Sequence, residues 1–252
     1  VQQCKANCDL RRCLRKWYGS SLGRLLEQAE RELLDDLLPG LFGYHVLQIG
    51  AACAKPLLDT SPIRHQVVID DDPTAPFCSV AAKAPELPIA SDSVDAVVLH
   101  HVLEFADDPH RALREVERIL IPEGTVVIIG FNPYSTWGLR GWVRRRRGDA
   151  PWCGRFLSAS RVRDWLALLG FDILQSHSRI YRPPLQSLAL QRRLAFLESW
   201  GDRWWKPLGG VYMLVARKRV VTVTPLRPRW TTRRRLVGAG LAEPTSRSGS
   251  SG

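Results

Sequence analysis

Residues 93–131 read SVDAVVLHHVLEFADDPHRALREVERILIPEGTVVIIGF, and the order of patterns within them decides the fold. Val94 to Leu99 is an almost unbroken apolar run of strand length. Asp107-Asp108-Pro109 then places an N-cap acid before a proline at the first helical position. Ala112, Leu113, Val116, Ile119 and Leu120 recur at helical spacing and predict one buried face. Pro122-Glu123-Gly124 predicts a turn, and Thr125 to Phe131 is β-branched and apolar. Strand, helix and strand in that order, within one sheet, make a right-handed crossover between parallel strands.

The flanking sequence extends this unit in both directions. His45 to Gly50 and Gln66 to Asp70 are two more apolar runs, one stopped by glycine and one by an acid. Neither alternates, as expected of strands covered on both faces. Leu22, Leu25, Leu26, Ala29, Leu33, Leu34, Leu37 and Leu38 predict an amphipathic helix ended by Pro39-Gly40. Downstream, Ser158 to Gly170 reads as a capped helix, Phe171 to Ser176 as a strand, 185–205 as helical and aromatic, and Val211 to Ala216 as a last strand. The parts are a basic segment with an amphipathic helix (1–39) and an α/β domain (40–219). That domain carries a basic aromatic insertion (132–157) and a helical one (183–208). A basic tail (220–252), rich in Arg, Ser and Gly, is expected to be disordered.

Composition narrows the function classes. With 45% apolar and 24% charged residues the 252-residue chain is neither a disordered nor a collagen-like sequence. No run approaches the roughly 20 apolar residues of a membrane-spanning helix. The opening residues lack the apolar core of a secretory signal, so a cytoplasmic protein is expected. The formal charge of +11 is unevenly spread: residues 25–131 hold 7 basic and 18 acidic side chains, whereas residues 1–24, 132–157 and 217–252 are all basic. A protein that only coats nucleic acid has little use for an acidic half. Cys4, Cys8 and Cys13 cluster, but their spacing misses the zinc patterns, and no metal is expected.

In an open parallel sheet, ligands sit beyond the carboxyl ends of the strands, where strand order reverses. The first strand ends at Gly50, and Asp70 follows 20 residues on, the separation at which an acid reaches the ribose hydroxyls of an adenosine-type ligand. His100 and His101, at the end of a later strand, titrate near neutrality and are candidate general bases. Only one of them should face a pocket if the chain there stays extended. Glu104 is a weaker candidate for substrate contact.

Leu87-Pro88-Ile89-Ala90-Ser91-Asp92-Ser93-Val94-Asp95-Ala96-Val97-Val98, followed by His100 to Phe105 and by Ile121-Pro122-Glu123-Gly124, resembles the bacterial type 11 branch of the class I S-adenosylmethionine-dependent methyltransferases. These residues correspond to that family's LPF-x-D-x-S-F-D-x-V strand, post-strand loop and L-x-P-G-G turn. The resemblance covers roughly residues 40–217. It implies a Rossmann-like α/β fold: a seven-stranded sheet, mostly parallel with a final antiparallel strand, and helices on both faces. It implies S-adenosylmethionine as cofactor, held by the loop Gly50-Ala51-Ala52-Cys53-Ala54 and by Asp70, with Lys83 or Ala84 near the adenine and His100 beside the methionine moiety and the substrate.

Four positions depart from the family pattern: Gln48 replaces an acid, Ala52 and Ala54 replace glycines, and Lys83 stands where an acid is usual. An alanine adds a β-carbon where backbone normally approaches the ligand. The insertion from Phe131 to Trp152 interleaves aromatics with Arg144-Arg145-Arg146-Arg147. It reads as a substrate lid or plain solvated loop, a nucleic-acid surface or a membrane-surface contact. The expected function is methyl transfer to an unidentified acceptor. The alternative is a non-catalytic member that binds nucleic acid through its basic segments. A nicotinamide-dependent oxidoreductase would need G-x-G-x-x-G after the first strand, which is absent.

Overall fold

The computed structural model describes residues 7–53, 56–144, 150–185, 193–194, 196–205 and 208–219. The readings of Cys4, Ala54, Arg145 to Arg147 and the tail from Val220 lie outside the described residues. Two helices, α1 (Asn7–Tyr18) and α2 (Ser21–Leu37), precede strands β1 (His45–Ile49), β2 (His65–Asp70), β3 (Val80–Ala81) and β4 (Val94–His100). Then follow α3 (Pro109–Ile119), β5 (Leu120–Phe131), α4 (Thr136–Arg144), α5 (Ala159–Leu168), β6 (Phe171–Arg179), α6 (Phe196–Trp204) and β7 (Val211–Lys218).

The strands form one seven-stranded sheet in the order β3-β2-β1-β4-β5-β7-β6. Pairings among β1 to β5 are parallel, and β7 runs antiparallel to both β5 and β6. Strand order reverses between β1 and β4, which both continue beyond the same edge of the sheet. Alternation along each strand divides the core in two. Val46, Ala96, Val98, Val127 and Met213 pack with α1 and α2, while Leu47, Val97, Leu99, Val126 and Leu214 pack with α3 and α5. Each such Val, Leu or Met side chain, fully buried, stabilises the fold by about 1.5–3 kcal/mol relative to exposure.

The local signals act as their chemistry requires. Ser20 caps α2 by accepting from the Gly23 N–H (3.1 Å), and Asp108 caps α3 by accepting from the Arg111 N–H (3.0 Å). The expected turn at Pro122-Glu123-Gly124 lies instead inside β5. Leu120, the C-cap of α3, already pairs with Val94, and a bulge between Val94 and Ala96 absorbs the extra residues, with Glu123 at φ +64.

Three further points differ from the sequence reading. Helix α1 was read only as a basic segment, although Leu10, Leu14 and Trp17 recur at helical spacing on the side packed against the core. β3 is a two-residue strand, below the length at which a pattern shows. Within the segment 185–205, read as helical and aromatic, Trp200 and Trp205 are 63% and 51% exposed, because α6 approaches the Tyr181 ring through Gly201 and leaves these indoles outside.

The contact of α1 with α2 depends on Gly23, where a β-carbon would overlap the Trp17 carbonyl oxygen and the Tyr18 backbone. Gly40 has open space instead. Gly23→Ala is expected to lower unfolding free energy by about 1–3 kcal/mol, and Gly40→Ala by no more than about 0.5 kcal/mol. Paired urea titrations of the two variants measure the difference.

Candidate functional site

Two polar clusters meet beyond the carboxyl ends of β1, β2 and β4. The first is built on β1 and β2. Gly50 adopts φ +93, a conformation a side chain disfavours, and its N–H donates to the Ile69 carbonyl (2.8 Å). The next N–H, of Ala51, donates to Asp70 Oδ2 (2.7 Å), so the acid ending β2 is locked against the loop leaving β1. Gly50, Asp70, Asp71, Lys83, Ala84, Pro85 and Val102 line one crevice.

The methyl groups of Ala51 and Ala52 are not part of its wall. Ala51 packs with Val68 and Ala75, and Ala52 joins the core under α1 and α2. Arg11 of α1 enters this crevice of about 50 Å³, its guanidinium 3.8 Å from Asp70 and 3.9 Å from Asp71. Burial opposes ionisation of Asp70, but the Arg11 charge and the N–H groups of Asp72 and Ala51 outweigh it and hold its carboxyl below the usual range. Asp71 is pushed up to about 6 by burial and by the neighbouring Asp70 carboxylate, against the pull of Arg11. Arg12 and Arg15 of the same helix pair with Asp72 at 3.3 and 2.8 Å.

The second cluster is built on β4 and α2. His100 ends β4, and His101 turns to φ +48, so the chain is not extended there. The condition under which only one imidazole would face inward is therefore not met: the left-handed residue swings both rings to the same side, onto Glu30 of α2. Glu30 Oε1 meets His101 Nε2 at 2.7 Å, Oε2 meets His100 Nε2 at 3.0 Å, and the Tyr18 hydroxyl donates to both oxygens at 3.2 and 3.0 Å. Glu104 Oε1 takes the other side of His101 (Nδ1, 3.1 Å) and accepts from the Phe131 N–H (2.7 Å). Glu30, His100 and His101 are fully buried.

Charge in this cluster is distributed by mutual stabilisation. Burial alone would raise the Glu30 carboxyl, but the His101 charge and hydrogen bonds from both imidazoles bring it down to about 2. Burial alone would lower His101, yet Glu30 and Glu104 lift it to about 9. His100, with burial dominant, is held below its ordinary value of 6.5 and stays neutral. An ionised Glu30 can only accept, so the proton of neutral His100 is on Nε2 and the lone pair on Nδ1. That Nδ1 is buried and has no hydrogen-bond partner. Cys53 Sγ, 3.8 Å from His100 Nε2, has its thiol pushed far up by burial and by Glu30.

Glu30, Arg11 and Tyr18 were absent from the sequence reading. Glu30 left a trace, since it continues the buried stripe of Leu22 and Leu26 at the next four-residue step, where an acid is out of place unless paired. Its histidine partners lie 70 and 71 residues away, and no spacing rule reaches that far.

The cluster sets a pH dependence. The depressed Glu30 stabilises the fold above pH 4.5 and loses that contribution as pH falls towards 2. The raised His101 stabilises it below pH 6.5 and loses that contribution as pH climbs through 9. The melting temperature is therefore expected to decline from pH 6.5 to 9.5. Glu30→Gln should flatten that decline and cost about 3–5 kcal/mol, as removal of one partner of a buried pair does. Calorimetry across pH compares the two proteins.

Comparison with known proteins matches this geometry. The family described as a methyltransferase domain matches residues 51–128. An uncharacterised protein of Escherichia coli, YafS, is 34% identical over 208 residues, covering 82% of each chain. A malonyl-[acyl-carrier protein] O-methyltransferase of Halorhodospira halophila is 32% identical over 185 residues, 64% of this chain and 62% of that one. An S-adenosylmethionine-dependent methyltransferase structure from Thermotoga maritima superimposes with a TM-score of 0.61 at 19% identity, over 81% of this chain and 94% of that one. The chain therefore belongs to the family of YafS and, by its domain match and its sheet topology, to the class I S-adenosylmethionine-dependent methyltransferases.

Proposed function

We propose that the methyl donor binds in the crevice between Gly50, Asp70 and Lys83–Pro85, and that His100 takes the proton of the acceptor. The groups lining the crevice suit S-adenosylmethionine. Asp70 offers a carboxylate for ribose hydroxyls, Ala84 an apolar surface for the base, and Gly50 bare backbone. Gln48 Oε1 is buried without a hydrogen bond, an acceptor that a ligand carrying ammonium and hydroxyl groups can use. Bound there, the cofactor supplies an electrophilic methyl on a sulfonium.

The chain's own part is to orient, to exclude water and to move one proton. As an acceptor O–H or N–H attacks the methyl carbon in line, its proton passes to a base. The observation that carries this reading is the unpartnered Nδ1 of neutral His100. Glu30, on the opposite nitrogen, holds the ring in that tautomer and stabilises the imidazolium formed when Nδ1 takes the proton. His101, already charged between two carboxylates, is a fixed cation beside it rather than a second base.

We assign the acceptor's body to the groove of about 630 Å³ lined by Tyr134, Leu139, Trp142, Trp152 and Phe156. Phe156 stacks on Phe131 (4.9 Å) and Phe131 on His101 (4.1 Å), so the groove borders the second cluster. An amphiphilic alcohol, phenol or amine fits this lining. A cytoplasmic setting suits the free thiols of Cys53 and Cys78. A second reading, a non-catalytic fold that binds nucleic acid through its basic segments, is favoured by one observation, the small volume of the crevice.

Titration calorimetry separates the two readings. Wild type is expected to prefer 5′-methylthioadenosine over its 2′-deoxy analogue by about tenfold, as for a hydrogen bond to a charged group, and Asp70→Asn to lose that preference. With labelled donor and a panel of long-chain alcohols, phenols and amines, His100→Gln should lower transfer by about 10²–10⁴-fold, with affinity for S-adenosylhomocysteine kept. No adenosine ligand bound at millimolar concentration, with tight salt-sensitive RNA binding, sinks the enzymatic reading.

A further inference from the structure

We infer that Arg11 is a plug in the cofactor crevice, and that α1 carries it into a closed state from which it must withdraw before the methyl donor can enter. The inference rests on the crevice being the cofactor site. A cavity of about 50 Å³ is far below the roughly 300–1,000 Å³ of sites for small ligands. Arg11 takes up part of that space. A β-carbon placed on Gly50 would meet Arg11 Nη1 at 2.6 Å, so the guanidinium lies directly over the bare backbone kept open for a ligand. It also stands between Asp70 and Asp71, a cation beside the acids that would otherwise receive ribose hydroxyls and the field of a sulfonium.

The plug is set and weakly held. Arg12 and Arg15, at the next positions on the same side of α1, pair with Asp72, the third acid of the run 70–72. Leu14 and Tyr18 are buried in the core and Gly23 clamps the end of the helix, so the C-terminal turn of α1 is the pivot, and the turn carrying Arg11 moves only when the Arg12 and Arg15 pairs with Asp72 release. Arg11 itself meets Asp70 and Asp71 only at 3.8 and 3.9 Å, and its buried Nη1 makes no hydrogen bond. A guanidinium in its best site forms two short bonds to one carboxylate. The closed state therefore leaves a strong donor unused, and a ligand that satisfies the crevice can displace it.

The test reads binding rather than turnover. Full-length wild type, Arg11→Ala and Arg12→Ala/Arg15→Ala are titrated with S-adenosylhomocysteine and with 5′-methylthioadenosine, which lacks the amino-acid half. A plug populated about tenfold over the open state makes Arg11→Ala bind both ligands about tenfold more tightly. The double variant, in which Arg11 is intact, shifts both ligands in the same direction and keeps the test valid if Arg11→Ala does not fold. Binding by the variants with none by wild type also supports the plug. Weaker homocysteine binding with unchanged methylthioadenosine binding overturns it and makes Arg11 an anchor for the ligand's carboxylate. Unchanged affinity for both ligands overturns it as well. Failure of every protein to bind either ligand at millimolar concentration removes the cofactor site itself, an outcome distinct from losing the plug alone.

Discussion

The buried Glu30 carboxylate is the constraint on which the rest of the site depends. A single ionised acid in the interior is unfavourable unless its oxygens are matched by donors. Here three side chains from two regions converge on it: Tyr18 from α1, and His100 and His101 from the end of β4. The match ties the two N-terminal helices to the carboxyl edge of the sheet. It also requires the turn at His101, because an extended chain would send the second ring to the far face of the sheet.

The N-terminal helices are thus packed into the site rather than appended to the fold. α2 delivers Glu30 below the strand ends, and α1 lays Trp17 against Trp137 and Trp152 of the insertion. The uneven charge gains a structural meaning at this point. The basic opening of the chain meets the acidic run Asp70-Asp71-Asp72, and its arginines are spent within the molecule. Net charge alone would have sent them to an external anionic partner.

The fold was legible in the sequence wherever one segment contained its own reason. The β4–α3–β5 crossover carries strand, cap, stripe and strand in order, and all four are present. Gly50 and Asp70 were legible too, as a glycine and an acid at strand ends 20 residues apart, and the structure sets them in one crevice. The alanines of the loop were read as the threat to that crevice. Of the two, Ala52 packs its methyl group into the interior instead, and the side chain that enters the crevice is Arg11, on a helix whose basic residues hide its apolar stripe.

By itself, then, the sequence determined the parallel sheet, its crossovers and the strand ends at which chemistry collects, because each rests on a local periodicity or a cap. Only the tertiary structure decided which histidine keeps a free lone pair, which acid orients it and which arginine lies across the crevice. Those outcomes belong to pairs such as Glu30 with His100 and Arg11 with Asp70, separated by about 60 to 70 positions. The strength of such a pair depends on distance and burial in space, and neither quantity is written in the spacing of residues along the chain.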